Sequence, residues 1–187
     1  MNLAFRRFDG AAARDERDTI EAVYRGAYWA SIEAGDPFNS PEGFMTRFDS
    51  YTSVPGFDLM VAYVDGAAVG QAWGWPLGPQ NRWWEGLVSE PEPGFTSEDG
   101  TRTFALSEIM VVREFTGRGV AHALHDELLG GRGETRATLL AESDNDSAYR
   151  AYLHWGWRKA SQIRPHWPDA PLFDVLMLPL PLSKGAE

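Results

Sequence analysis

Two hydrophobic periods run along the chain. From Asp18, the residues Ile20, Val23, Tyr24, Ala27 and Ile32 recur near helical spacing. Asp36-Pro37 ends that run, because the residue before a proline resists the helical region. Pro41-Glu42-Gly43 opens a second helical stretch with Phe44, Met45 and Phe48 on its buried side, and Pro55-Gly56 closes it. Residues 3–8 predict a short first strand. Residues 57–64 and 67–75 predict two more, joined by Asp65-Gly66, the pair expected of a type I′ hairpin turn. The second half alternates: strand 103–112, helix 120–129, strand 137–142, helix 145–155, strands 157–163 and 173–178. Strand-helix alternation implies parallel pairing, whereas the hairpin implies antiparallel pairing, so the expected sheet is mixed.

Residues 76–102 fit neither period. They hold Gly78, Pro79, Gly86, Pro91, Pro93, Gly94 and Gly100 together with Trp83, Trp84 and Phe95. A connection this long is commonly functional or disordered, and so much aromatic area argues against disorder. A wall of the substrate side is one reading; a flap over a sheet edge, or a subunit contact in a homodimer, are the others.

Composition narrows the class. The chain has 187 residues, enough for one compact domain, and 43% of them are apolar. The formal charge is −10, which disfavours a nucleic-acid partner and favours encounter with cations such as amines. Cysteine is absent, which removes thiolate metal sites and covalent cysteine intermediates, and the four histidines include no His-Glu-x-x-His pair, so no metal is expected. The longest purely apolar run, residues 59–64, is too short for a bilayer, and residues 1–7 do not read as a signal peptide; a cytoplasmic protein is expected.

The richest chemistry lies in Ile109-Met110-Val111-Val112-Arg113-Glu114-Phe115-Thr116-Gly117-Arg118-Gly119-Val120-Ala121-His122. A hydrophobic strand enters a short loop with two glycines, then an amphipathic helix. Gly117 and Gly119 let backbone approach a ligand. The first N–H groups of the helix have no internal partner and sit at its positive dipole end, and Arg118 adds a charge. A pyrophosphate suits that site. The loop is neither a Walker loop nor a complete Gly-x-Gly-x-x-Gly fingerprint, since His122 stands at the third glycine.

This stretch resembles motif A of the GNAT superfamily of acyl-CoA-dependent N-acyltransferases, Gln/Arg-x-x-Gly-x-Gly/Ala, here Thr116-Gly117-Arg118-Gly119-Val120-Ala121. Thr116 departs from the leading Gln/Arg and removes one charge or amide near the phosphates. Further on, Asn145, Ala148, Tyr152 and Gly156 resemble motif B, with Trp157 in place of Phe. Asp144 and Asn145 are N-cap candidates for that second helix. The resemblance covers residues 103–178 best; the first half agrees only in its order of strands and helices.

The resemblance implies a single α/β domain over residues 1–187 (α+β in some schemes). Its fold would be GNAT-like: a mixed, mostly antiparallel sheet of six to seven strands, about four helices and a splayed central strand. It implies transfer of acetyl from acetyl-CoA, as co-substrate, to an amine of a small molecule or peptide. Ile109, Met110 and Val111 would pair with the pantetheine arm, Gly117, Arg118, Gly119, Val120, Ala121 and His122 would hold the pyrophosphate, and Asn145 would contact the arm. Tyr152 would donate a proton to the departing thiolate. Glu108 is the first candidate for the base; Glu142 and a water chain are the others. A Glu108 paired with Arg113 or another cation is the structural alternative. Trp73, Trp75, Trp83 and Trp84 are candidate acceptor contacts, with Glu142 beside them and His166-Trp167 on the far side. An acyl-CoA-binding sensor without turnover, and a peptide-binding domain using the tryptophans, are the rival readings.

Overall fold

The computed structural model describes residues 1–142, 146–166 and 169–182, with Asp146 as backbone alone. In chain order the elements are β1 (Leu3–Asp9), α1 (Gly10–Asp15), α2 (Arg17–Ala27), α3 (Trp29–Glu33), α4 (Pro41–Tyr51), β2 (Asp58–Val64), β3 (Ala67–Pro76), β4 (Thr103–Val111), α5 (Val120–Leu129), β5 (Arg136–Glu142), α6 (Asp146–His154), β6 (Arg158–Ile163) and β7 (Phe173–Pro179). A 3₁₀ turn, Arg113–Phe115, follows β4. The strands form one sheet in the order β1-β2-β3-β4-β5-β7-β6. β1–β2, β2–β3, β5–β7 and β6–β7 pair antiparallel, and β4–β5 is parallel over only three residue pairs, Thr103↔Arg136 to Ala105↔Thr138. The expected mixed, mostly antiparallel sheet is therefore present.

Six α-helices are found among the described residues, against about four expected. The additions are short. Half of α1 is alanine and it shows no apolar stripe; Asp9 starts it by accepting from the Ala12 N–H at 2.9 Å. The single helix expected over residues 18–32 divides at Tyr28 into α2 and α3, just after Gly26, a poor helix former. α4 opens with Ser40 capping the Gly43 N–H and Pro41 in the first turn, where its missing donor costs nothing. Asp65 and Gly66 both take positive φ (49° and 82°), the geometry of the expected type I′ turn.

Two compact units follow from the internal contacts. The first comprises residues 1–75 and 107–130. Its core joins Ile20, Val23 and Tyr24 of α2, Phe44, Met45 and Phe48 of α4, and Leu59, Val61, Trp73 and Met110 of the strands. Phe44 and Phe48 both pack against the fully buried Trp73 ring. The second comprises residues 76–106 and 131–187, with Phe104, Leu139, Trp157, Ile163, Val175 and Leu176 buried. Among the described residues no helix is long and apolar enough to cross a membrane.

Candidate active site

In the first unit, alternation along β4 places Glu108 on the same side as Met110. That side faces α2: the Gln71 amide donates to the Met110 sulfur (3.3 Å) and to the Ile20 carbonyl (3.2 Å). Burial pushes the Glu108 carboxyl up to about 7, and the Arg47 guanidinium pulls it only partly back. Tyr24 and Tyr51 lie within electrostatic reach of the same carboxylate, and both phenols are raised, first by burial. Tyr24 donates to the Asn39 carbonyl at 3.0 Å. Tyr51 stacks on Trp75 with ring centroids 5.0 Å apart, and both are half-buried. Two buried polar atoms nearby along β3, Gln71 Oε1 and Trp73 Nε1, have no hydrogen-bond partner among the described residues. Such orphans collect where water or a ligand completes the bonding.

Arg113, the cation proposed from sequence as a partner of Glu108, instead lies over the Trp29 ring at 4.7 Å. The cation that acts on Glu108 is Arg47, whose guanidinium also donates to the Phe38 carbonyl at 3.2 Å and covers the Phe38 ring at 4.4 Å.

The glycine loop has the form its sequence requires. Gly117 and Gly119 take φ of 71° and 81°, a region closed to most L-residues, and a Cβ at either would meet nothing within 4 Å. The space over the loop is open. Gly119 is the N-cap of α5 and offers no side-chain acceptor, and the first turn carries no acid. The Ala123 N–H closes onto the Gly119 carbonyl, and the N–H groups that precede it on α5 belong to the first turn, at the positive end of the helix dipole. Arg118 is exposed beside them, 5.4 Å over the Phe115 ring. Open space, amide donors and a cation together fit a diphosphate.

In the second unit, Tyr152 lies on α6 with its ring edge-on to Trp155 (5.6 Å) and Trp157 (6.4 Å). Tyr149, one turn earlier, donates to the buried Asp174 at 2.7 Å. Glu142 is exposed at the end of β5. Trp84 is buried against Phe95 and donates to Glu98 at 3.1 Å; Trp83 is half-buried. Asn145, Asp144 and Trp167 lie outside the described residues.

The acetyltransferase (GNAT) family model matches residues 26–157. The chain belongs to the GNAT acetyltransferase family. Its fold is shared with solved GNAT-like structures at low identity. Ard1 from Thermoplasma volcanium is 18% identical with a TM-score of 0.63, covering 96% of this chain and 98% of that one. The ribosomal-protein-S18-alanine N-acetyltransferase from Escherichia coli is 14% identical with a TM-score of 0.62, covering 100% and 97%. The protein yncA from Salmonella typhimurium, solved with its cofactor acetyl-CoA, is 15% identical with a TM-score of 0.57, covering 100% and 99%. No curated protein sequence matches the chain.

Within this GNAT chain the first unit brings Glu108, Ile109, Met110, Val111, residues 117–122 and Trp73 together, and the second holds Tyr152, Glu142, Trp83 and Trp84. Trp73 is fully buried, so Trp75 is the neighbour that reaches solvent on that face. Sequence reasoning missed Arg47, Tyr24 and Tyr51 as neighbours of Glu108. A signal was present: Phe44, Arg47, Phe48 and Tyr51 recur at helical spacing on α4, so Arg47 shares the inward face with three aromatics.

Proposed function

We propose that the chain is an acetyl-CoA-dependent N-acetyltransferase acting on a primary amine of a small molecule or peptide, and that residues 1–187 act as one such domain. The observation that carries this reading is the open glycine turn at Gly117 and Gly119 leading into an uncapped α5, in a chain of this family. The amides of Val120, Ala121 and His122, with Arg118, would hold the diphosphate, and the backbone of Ile109–Val111 would hold the pantetheine arm, with Asn145 as a further contact. Acetyl-CoA supplies the acetyl group as a thioester. Glu108, poised near neutrality, takes the proton of the ammonium so that the nitrogen lone pair is free to form the new N–C bond. The C–S bond breaks as the Tyr152 phenol gives its proton to the sulfur, and the excess proton on the newly acylated nitrogen returns to the phenolate, which leaves a neutral amide, the thiol and a protonated Glu108. Tyr51 and Trp75 offer aromatic faces near the Glu108 carboxylate, a combination that suits a cationic amine.

Release of CoA from acetyl-CoA, followed over a panel of primary amines beside calorimetric CoA binding, tests this. Saturable release with at least one amine, and weaker CoA binding in Arg118→Ala, are expected. CoA binding with no release across the panel would make the chain a sensor, and no CoA binding at all would remove the diphosphate assignment.

A further inference from the structure

Three side chains on α5 converge on a chemistry that acyl transfer does not use. His122 and Asp126 are four residues apart on one face of the helix, and His125, next to Asp126 in sequence, is turned toward the buried side. Asp126 turns one oxygen to each imidazole: Oδ1 is 2.8 Å from His125 Nδ1, and Oδ2 is 3.6 Å from His122 Nε2. The three donor atoms all lie within 4.8 Å of one another. His122 and Asp126 are half exposed, whereas the His125 side chain is 2% exposed.

We propose that His122 Nε2, His125 Nδ1 and an Asp126 carboxylate oxygen form a binding site for a divalent ion of the zinc class on the face of α5. Imidazole nitrogen with carboxylate oxygen is a donor set that such ions prefer. Ligands about 2.0–2.1 Å from a tetrahedral ion stand roughly 3.4 Å apart, so three donors that lie within 4.8 Å of one another need shift by no more than about 1.5 Å to enclose one ion. Three protein ligands leave a fourth position for water, since the His122 and Asp126 side reaches solvent. The proton on a neutral His125 resides on Nε2 when Nδ1 holds the ion, so the ring changes tautomer and loses no proton.

His-x-x-His-Asp differs from the His-Glu-x-x-His pattern, yet it places three donors within little more than one helical turn. The three side-chain donors are distinct from the His122 backbone amide that the diphosphate reading uses, and they clip two successive turns of α5.

Zinc titrated by calorimetry into the full, tag-free chain in the absence of any acyl donor tests it. Saturation at one ion per chain is expected. Cobalt substitution should give the intense visible bands of a tetrahedral centre, and zinc should displace them. His122→Ala and Asp126→Asn, both at half-exposed positions, should each weaken binding by at least about tenfold, with helicity confirmed by circular dichroism. No saturable one-to-one binding, or an affinity unchanged in both variants because the ion sits elsewhere on the acidic surface, would overturn the proposal. Loss of acetyl transfer would leave these readings untouched, so the two hypotheses fail separately.

Discussion

Glu108 joins two properties that rarely meet in one residue: a strand position facing a core, and a carboxyl that burial raises from the ordinary 4.5 to about 7. The sign of the consequence follows. A carboxyl whose folded pKa exceeds its unfolded value binds its proton more tightly in the fold, so its contribution to stability is complete below about pH 4.5 and is lost as pH rises through 7. Glu108→Gln removes that loss. Thermal melts should show the variant gaining on the parent between pH 5 and 8, with the two equal near pH 4. In kcat/KM, the parent should rise about tenfold per pH unit below 7 and flatten above it, and the variant should lose that limb along with most of its rate. A parent profile without a limb near 7, or a variant that keeps it, would assign the base elsewhere. The acid itself was legible in the sequence, because a carboxylate in a run such as Leu106-Ser107-Glu108-Ile109-Met110 needs a reason. Its neighbours were not. Arg47 and Tyr51 act on it from α4, and spacing along one segment says nothing about which distant helix packs against it.

Among the elements, α6 carries two tyrosines for which different roles are expected, Tyr149 in holding the helix and Tyr152 in proton transfer. Asp174 on β7 is buried and accepts from Tyr149 (2.7 Å), Gln162 (3.0 Å) and Lys159 (2.7 Å). Burial alone would raise its carboxyl, but these three partners hold it below the usual range, and the Tyr149 phenol is pushed up to about 12 by burial and by Asp174. A bond to a charged acceptor contributes about 1.5–3 kcal/mol. Tyr149→Phe should therefore lower the melting temperature while kcat stays within a few-fold of the parent. Tyr152→Phe should do the reverse: kcat should fall roughly 10²–10⁴-fold, the range for loss of a general acid, at nearly unchanged stability and CoA affinity. If the two variants behave alike, Tyr152 is a packing residue. Elements with a strong period were readable: β2 and β3 through Asp65-Gly66, α5 through Val120, Leu124 and Leu128. α1 was not, because alanines carry no stripe, nor was the break at Tyr28, where apolar spacing continues across a change of helix.

At the scale of the whole molecule, the segment 76–102 departs most from a periodic reading. Beyond Pro76, the last residue of β3, it holds no regular helix or strand, yet two sets of contacts tie it down. Val88 N–H donates to the Gln162 carbonyl, Arg164 N–H to the Gly86 carbonyl, and Ser161 Oγ to the Ser89 carbonyl, so residues 86–89 line the edge of β6. The edge-cover alternative therefore has direct support, and covering an edge blocks pairing with another chain. The second tie is a buried carboxylate. Glu98, its side chain wholly inaccessible, accepts from Trp84 (3.1 Å), Thr103 (2.8 Å) and Arg136 (3.0 Å), while Arg136 also donates to the Phe95 carbonyl and lies over its ring. Sequence could not show this, since Glu98 and Arg136 are 38 residues apart with no shared pattern, and Trp83 and Trp84 read as candidate acceptor contacts, with an edge flap and a subunit contact as the alternatives. Removing one member of such a pair strands the other charge away from water, at a cost of about 3–5 kcal/mol. Glu98→Ala should thus lose stability of that order in urea melts and expose residues 76–102 to limited proteolysis. Glu98→Gln, which keeps an acceptor for Trp84 and Thr103, should lose less. A Glu98→Ala chain that melts within about 1 kcal/mol of the parent, the spread of an ordinary surface change, would mean that the segment is held by its β6-edge bonds alone and that Arg136 finds another acceptor.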